Sequence, residues 1–251
     1  MKVTINKISG NVSGGFVCLT NQNDIKYVDN FSTGYIKDLP TAPFKNVQGI
    51  AGNTQNGPLI YSDKSVAYLD DFSKPKWLTI SKEAPFTIQG IAGDNAHGAI
   101  VYNGRTVAYL NNYSSPEWVT ISKEAPFDIE GIAGNNANGP VIYNGDQVAY
   151  LNNYDAPEWT VIKNNCPYSI QGMAGDNSNG CLVFNKIQFS YLQNYANPTW
   201  YDKQSTPNNI TSIAGNIQTG AIALLSNNDV YIMDNYNNNN WVKLDLFVPN
   251  S

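Results

Sequence analysis

The sequence has little charge, a single histidine and no long apolar run. Charged residues make up 14% of its 251 residues, and 20 acidic side chains outnumber 15 basic ones. Proteins that bind phosphate backbones need a basic surface, so this composition argues against nucleic acid as a partner. No apolar run approaches the roughly 20 residues that cross a bilayer, so we expect no membrane insertion. The first residues also lack the apolar stretch of a secretion signal, which leaves the cytoplasm or release by a non-classical route as the expected location.

Residues suited to catalysis or metal binding are scarce. Cys18, Cys166 and Cys181 are odd in number and show no CxxC spacing, so we interpret them as structural thiols in a reducing compartment. The only histidine, His97, falls in a loop where other copies of the repeat described below carry asparagine. We therefore expect no catalytic residue, no metal and no cofactor. Calcium on an axis is the alternative, because carbonyl and asparagine oxygens are adequate ligands for it.

One motif occurs six times along the chain. Its first element reads Ile-Gln-Gly-Ile-Ala-Gly-Asp at 88–94, and a near copy begins at Ile129. The last glycine of this element recurs at intervals of 42, 41, 41, 41 and 40 residues, at Gly10, Gly52, Gly93, Gly134, Gly175 and Gly215. The copies occupy approximately 1–46, 47–87, 88–128, 129–169, 170–209 and 210–251. They fill the chain, which predicts a single domain over 1–251.

Each copy contains four short segments typical of β-strands. They are the Gly-Ile-Ala-Gly element and three apolar segments such as 57–61, 66–69 and 77–80. The pairs Asn103-Gly104 and Asn144-Gly145 predict hairpins between the second and third segments, with positive φ at both turn positions. Strands that are apolar almost throughout need both sheet faces covered. Six sheets of four antiparallel strands, each from about 41 residues, describe an all-β, six-bladed β-propeller.

Two structural alternatives accompany this prediction. A β-solenoid is the other architecture, and it is disfavoured because its coils are shorter and lack such paired-strand turns. Each blade is expected to come from contiguous sequence, so that the ring closes by packing of the first blade on the last. In the other arrangement, Val3 to Ile5 pair with the closing blade.

Polar and aromatic residues recur in step with the repeat. In a four-stranded meander the loops after the first and third strands leave the same edge. The first of these loops carries Asn11, Asn53, Asp94, Asn135, Asp176 and Asn216. The second carries Asn30, Asp71, Asn112, Asn153, Asn194 and Asn235, each followed by an aromatic residue, namely Phe31, Phe72, Tyr113, Tyr154, Tyr195 and Tyr236. One position of the fourth strand holds Tyr35 in the first copy and then Trp77, Trp118, Trp159, Trp200 and Trp241.

These positions in the second to sixth copies are our candidate carbohydrate-binding residues. An amide offers two donors and an acceptor to vicinal hydroxyls, and an aromatic face covers the apolar C–H side of a sugar ring. Low charge suits a neutral ligand, and repeated sites on one rigid body raise avidity. The structural alternative is that Asn and Asp hydrogen-bond their own backbone in tight turns, while the aromatic residues fill gaps between blades.

The Gly-anchored first strand, an Asn-Asn-aromatic turn such as 111–113 and the following Trp118 resemble propeller lectins of the tectonin and tachylectin type and bacterial propeller lectins. The resemblance covers the whole chain and rests on architecture and the tryptophan position. It implies a multivalent lectin without catalysis, with glycans or glycoconjugates as partners and sugar sites repeated in or between blades. Tyr-Leu-Asp-Asp at 68–71 is similar to the YWTD repeat of receptor propellers, but no tryptophan follows the tyrosine.

Two other functions compete with the lectin hypothesis. A protein-interaction scaffold or structural propeller without sugar binding predicts that one or two blades diverge into a unique surface patch. A hydrolase or lyase is expected to break the repeat with acids that converge on the axis. The acids that break it, such as Asp128, Glu130 and Asp146, are scattered, and no Ser-x-Asp-x-Gly-x-x-Trp box of the sialidase kind is present.

Overall fold

The computed structural model describes residues 3–203, 206, 208–236 and 240–248, the side chain of Lys203 excepted. Within these residues the chain forms 24 β-strands in six sheets and no helix. Accordingly, the described residues include no helix that could span a membrane. Each sheet consists of four strands that are consecutive in sequence and pair antiparallel, which confirms the predicted contiguous blades.

The first three blades come from the N-terminal half of the chain. Blade 1 contains β1 (Ile5–Asn11), β2 (Gly15–Thr20), β3 (Ile25–Val28) and β4 (Lys37–Asp38). Blade 2 contains β5 (Gly49–Ala51), β6 (Leu59–Ser62), β7 (Ser65–Leu69) and β8 (Trp77–Thr79). Blade 3 contains β9 (Gly90–Asp94), β10 (Gly98–Asn103), β11 (Thr106–Leu110) and β12 (Trp118–Thr120).

The other three blades repeat this order. Blade 4 contains β13 (Gly131–Asn135), β14 (Gly139–Asn144), β15 (Gln147–Leu151) and β16 (Trp159–Val161). Blade 5 contains β17 (Gly172–Asp176), β18 (Gly180–Asn185), β19 (Gln188–Leu192) and β20 (Trp200–Lys203). Blade 6 contains β21 (Ile210–Asn216), β22 (Gly220–Leu225), β23 (Val230–Met233) and β24 (Val242–Leu244).

The six sheets form a closed ring around an axis. The first strand of each blade contacts the first strand of the next, and β21 of blade 6 contacts β1 of blade 1. The small residues of the Gly-Ile-Ala-Gly element therefore line the axis, where the wedge-shaped blades are narrowest. This arrangement confirms the six-bladed β-propeller.

The core lies between adjacent blades. The second strand is the most deeply buried element, and all six residues of β2 and of β22 are buried. Leu59 of blade 2 and Leu110 of blade 3 share one cluster and have no exposed surface. Burying one leucine contributes roughly 1.5–3 kcal/mol. Each sheet buries both of its faces against neighbouring blades in this way, which explains why its strands are apolar almost throughout.

The hairpin between the second and third strands differs from the prediction in its turn. In blade 3, Asn103 pairs with Thr106, so Gly104 and Arg105 are the two central residues. Gly104 has φ of +56°, whereas neither Asn103 nor Arg105 takes positive φ. Glycine alone at the first central position is typical of a type II′ turn. The expectation of positive φ at both positions is therefore wrong, although the hairpin is confirmed.

Ring closure involves both ends of the described chain. After β24 the chain continues to blade 1, where the Phe247 N–H donates to the Gly34 carbonyl at 2.9 Å. The Phe247 carbonyl in turn accepts the Ile36 N–H at 2.9 Å, which forms a parallel bridge. At the other end, the Asn228 side chain of blade 6 accepts the Ile5 N–H at 2.6 Å and donates to the Val3 carbonyl at 2.6 Å. Blade packing is thus reinforced by hydrogen bonds. Those of Val3 and Ile5 agree with the alternative in which this segment pairs with the closing blade, whereas the bridge of Phe247 to blade 1 was not predicted.

Candidate functional site

The Asn/Asp position after the first strand forms a ring around one end of the axis. Its six members line the mouth of the axial cavity. Each uses its side-chain oxygen to hold its own loop, as in Asn53, whose Oδ1 accepts the N–H groups of Gln55 and Asn56 at 2.8 Å. The oxygens of Asn135 and Asn216 act in the same way. The acceptor atoms of this ring are therefore engaged in turns.

The two aspartates of this ring make an additional side-chain contact. The Asp94 carboxylate lies 2.9 and 3.1 Å from His97 Nδ1, and the Asp176 carboxylate accepts Asn179 Nδ2 at 2.9 and 3.1 Å. His97 thus replaces the asparagine of the other blade and holds the loop in the same manner. No group of three or more His, Cys, Asp or Glu side chains in the described part of the chain is arranged to hold a metal.

A cavity lies on the axis, and the turn aromatics and the tryptophans do not line it. It has a volume of about 450 Å³ and is lined by the first strands of all six blades, mostly glycine, alanine and isoleucine beneath the Asn/Asp ring. A smaller space of about 210 Å³ opens at the other end, beside Lys7, Tyr61 and Tyr102. Loss of hydration in this mouth lowers the pKa of Lys7, whose Nζ donates to the Gln48 carbonyl at 3.2 Å. The accessible wall of the axial cavity is nevertheless more polar than apolar, since His97, Gln171, Thr211 and Ser212 line it together with the Asn/Asp ring. The side-chain oxygens of that ring are already engaged in turns.

The Asn/Asp position after the third strand lies in exposed turns on the same rim as the axial ring. Asn112 Oδ1 accepts the Ser115 N–H at 2.6 Å, and Asn153 Oδ1 accepts the Ala156 N–H at 2.7 Å. Asn194 binds its own turn similarly, and Asn235 is exposed at the equivalent point of blade 6. The amide nitrogens of Asn112, Asn153 and Asn194 have no hydrogen-bond partner among the described residues, so they remain available as donors.

Asp71 is the carboxylate member of these exposed turns. Its two oxygens accept the hydroxyl and the N–H of Ser73 at 2.6 and 2.7 Å. These hydrogen bonds stabilise the charged form and lower the pKa of Asp71. Blade 2 therefore presents a negative charge where blades 3, 4 and 5 present a neutral amide.

The aromatic residue that follows each of these turns inserts between two blades. The hydroxyl groups of Tyr113, Tyr195 and Tyr236 donate to the carbonyls of Asp94, Asp176 and Asn216 at 3.0–3.1 Å, which ties the two loops of a blade together. Phe72 lacks this hydroxyl, and that of Tyr154 is buried without a partner. Burial raises the pKa of Tyr113, Tyr154, Tyr195 and Tyr236. These rings are mainly part of the packing between blades.

A tyrosine on the third strand of the preceding blade contacts each of these rings. The ring centroids of Tyr68 and Tyr113 lie 4.7 Å apart, and those of Tyr109 and Tyr154 lie 4.4 Å apart. The same pairing occurs at three further interfaces, as Tyr27 with Phe72, Tyr150 with Tyr195 and Tyr191 with Tyr236. The third-strand tyrosines are half-buried. They were not among the predicted residues, although their recurrence in the Val-Ala-Tyr-Leu segment signalled them.

The tryptophans complete these interfaces. Four indole N–H groups donate to a carbonyl of the preceding blade at 2.9–3.1 Å. The pairs are Trp77 to Pro40, Trp118 to Lys82, Trp159 to Lys123 and Trp200 to Asn164. Trp241 contacts Phe189 of blade 5 edge-on at 5.2 Å. Trp77 is buried, whereas Trp118, Trp159, Trp200 and Trp241 are partly exposed. The tryptophans thus bind blades together, and four of them also present part of a ring to solvent.

The predicted residues therefore separate into two places. Tyr113 and Trp118 of blade 3 meet Tyr68 of blade 2 in one cluster, whereas the Asp94 side chain lies at the axial mouth. We call the interface between blades 2 and 3 junction 2/3 and name the others in the same way. Five junctions contain a third-strand tyrosine, a turn aromatic and a tryptophan. At junctions 2/3, 3/4 and 4/5 the apolar ring faces lie beside the hydroxyls of Tyr68, Tyr109 and Tyr150, which have no hydrogen-bond partner among the described residues.

The three thiols are buried and form no disulfide, and Cys166 and Cys181 lie in the same cluster as the aromatic side chains of junction 4/5. Burial raises the pKa of Cys18, Cys166 and Cys181 to about 12. The thiolate is the reactive form, so at pH 8 only about one thiol in ten thousand is ionised. We expect the native protein not to react with a chromogenic thiol reagent at pH 8, and all three thiols to react in urea. Rapid reaction of the native protein would contradict the burial of these side chains.

No protein-family model matches the chain, and no match to it is found among the curated proteins. The resemblance to propeller lectins therefore has no support from a family or a relative, and function must be argued from the junctions themselves.

Proposed function

We propose that the protein is a multivalent carbohydrate-binding protein, a lectin without catalytic activity, whose sugar sites lie at the aromatic junctions. The observation that carries this proposal is the recurrence of three aromatic side chains at each of five junctions, with four of the five tryptophans partly exposed. Trp77 shows that the fold can bury this tryptophan, so packing between blades does not itself require the partial exposure of the other four.

The chemistry of a junction suits a sugar. A partly exposed indole of a junction tryptophan offers an apolar face to the C–H groups of a pyranose. The hydroxyls of Tyr68, Tyr109 and Tyr150 have no hydrogen-bond partner among the described residues, and a phenol can both donate to and accept from a sugar hydroxyl. The unused amide donors of Asn112, Asn153 and Asn194 lie in turns of the same blades that supply the tryptophans. A single sugar would bind weakly, and repeated junctions on a rigid ring would raise avidity.

A glycan array tests this proposal. Dye-labelled protein should bind a subset of neutral, fucosylated, galactosylated or amino-sugar glycans, and the free sugar should compete. Replacing Tyr68, Tyr109 and Tyr150 together by alanine should reduce array binding at least tenfold, because each loses a face and a hydroxyl. Ile187→Ala, which removes an exposed side chain from a hairpin turn, is the matched control and should bind normally. Absence of binding by the unmodified protein to every glycan would overturn the proposal.

A protein-interaction scaffold is the second candidate, and one observation favours it. The closing side of the ring exposes a group of apolar side chains that other blades do not share, with Tyr35 47%, Phe247 54% and Val248 52% exposed. Exposed apolar groups of this kind are common at protein interfaces. Capture of a protein partner that sugars fail to displace, and that Phe247→Ser abolishes, would support this second function.

A further inference from the structure

We infer that three of the six junctions are sugar sites, namely junctions 2/3, 3/4 and 4/5, and that the other three are closed by other side chains or by the chain itself. This inference rests on the proposed function and assigns its valency. It follows from what covers the third-strand tyrosine, or replaces it, at each junction.

The open junctions share one arrangement. The third-strand tyrosine pairs across the sheet with a smaller residue on the fourth strand, and these pairs are Tyr68 with Leu78, Tyr109 with Val119 and Tyr150 with Thr160. No second aromatic ring of the same blade stacks on these tyrosines, and the next blade supplies a partly exposed tryptophan. Each junction therefore keeps an accessible phenol beside an accessible indole.

Junction 1/2 is closed by a cation and by burial. Lys37 takes the fourth-strand position opposite Tyr27, and its Nζ lies 5.5 Å from the centre of the Tyr27 ring. Asp29 holds this ammonium at 2.8 and 3.0 Å, so that it stays over the ring. Trp77 is only 8% exposed, and Phe72 contributes no hydroxyl. The aromatic faces that would receive a sugar are therefore already covered.

Junction 5/6 is closed by an additional aromatic ring. Tyr201 takes the fourth-strand position opposite Tyr191, and the two rings stack with centroids 5.1 Å apart and an angle of 18° between their planes. The other side of Tyr191 contacts Tyr236 of blade 6 at 4.9 Å. Both sides of Tyr191 are thus in contact with protein, although Trp241 is partly exposed.

Junction 6/1 keeps the turn aromatic Phe31 but lacks the third-strand tyrosine and the tryptophan. Ile232 occupies the position of the third-strand tyrosine and Tyr35 that of the tryptophan. The segment after β24 crosses this junction, where Phe247 pairs with the backbone at 34–36 and Leu246 packs on the core between the two blades. The chain itself therefore fills the space that a ligand would use.

A pair of opposite substitutions tests the inference. Thr160 and Tyr201 hold the same position in blades 4 and 5, so Thr160→Tyr should cover Tyr150 and Tyr201→Thr should uncover Tyr191. Both changes lie on the outermost strands, and neither residue belongs to the buried core between blades. The probe is a mixture of the methyl glycosides of glucose, galactose, fucose and N-acetylglucosamine, soaked into crystals of each variant, with isothermal titration by the glycoside that binds.

We expect sugar density at three junctions of the unmodified protein, at two in Thr160→Tyr and at four in Tyr201→Thr, with titration stoichiometries that follow. Density at junctions 1/2, 5/6 or 6/1 of the unmodified protein would overturn the inference and leave the proposed function standing. An unchanged stoichiometry in both variants would also overturn it. No density at any junction, together with an array that shows no binding, would overturn the proposed function instead.

Discussion

Replacing Gly93 by alanine is expected to lower the free energy of unfolding by about 3 kcal/mol or more, enough to leave a fraction of the molecules unfolded. Gly93 ends the Gly-Ile-Ala-Gly element of blade 3 with φ of +96°, which side chains rarely adopt. A Cβ at this position would overlap the carbonyl oxygen of Gly98 on the neighbouring strand. Because the obstacle is backbone in the same sheet, relief requires the two innermost strands to separate beside the axis.

Gly104→Ala in the same blade is the matched control. Gly104 also has positive φ, at +56°, but a Cβ there would meet no atom within 4 Å. Its cost is limited to the left-handed conformation, about 1–2 kcal/mol. Urea unfolding followed by tryptophan fluorescence compares the two variants. Equal midpoints for both would show that positive φ alone, and not crowding between β9 and β10, explains the repeated glycine.

The parts of the fold that sequence predicted well are those fixed by local contacts. The strand from Trp77 to Thr79 and the hairpin around Gly104 depend on neighbours within one copy, so apolar patterning and turn residues located them. The recurrence of Gly93 and its equivalents then set the number of blades. Copies that are nearly identical must fold alike and pack alike, which is why a single sequence was sufficient to predict the ring.

Contacts between copies were not predictable in the same way. Tyr68 lies in a segment that any third strand of a β-sheet could have, and its contact with Tyr113 depends on how one blade turns against the next. The pairing of Phe247 with the backbone at 34–36 joins residues from opposite ends of the chain, and no periodic pattern marks it. Non-periodic contacts of long range leave no signal in one sequence.

The Asn/Asp positions show a further limit. Asn53 and Asn112 recur for the same local reason, since the oxygen of each side chain holds the turn that follows it. A sugar would use the same chemical groups, so recurrence alone does not distinguish turn formation from ligand binding. The structure separates the two roles atom by atom: the oxygen is engaged in the turn, while the amide nitrogen of Asn112 has no partner among the described residues.

Trp77→Ala is expected to lower the free energy of unfolding by about 3–5 kcal/mol, and Trp118→Ala by about half as much. The two indoles make the same hydrogen bond, 3.0 Å to the Pro40 carbonyl and 2.9 Å to the Lys82 carbonyl. Trp77 is 8% exposed, whereas Trp118 is only partly buried and so loses less packing when it is removed. Because both substitutions remove the same kind of hydrogen bond, the difference between the free energies of unfolding in urea reports the difference in burial.

Sugar binding should respond in the opposite order. Trp118 belongs to an open junction, so Trp118→Ala should remove one site while the remaining sites bind as before, whereas Trp77→Ala should keep every site as long as the protein is folded. Titration of both variants below the urea concentration at which either unfolds makes the comparison valid. If Trp77→Ala loses a site and Trp118→Ala does not, burial of an indole has no bearing on ligand access. The closed state of junction 1/2 would then be wrong even if the stability values agreed, because stability reports packing between blades and stoichiometry reports the faces left to solvent.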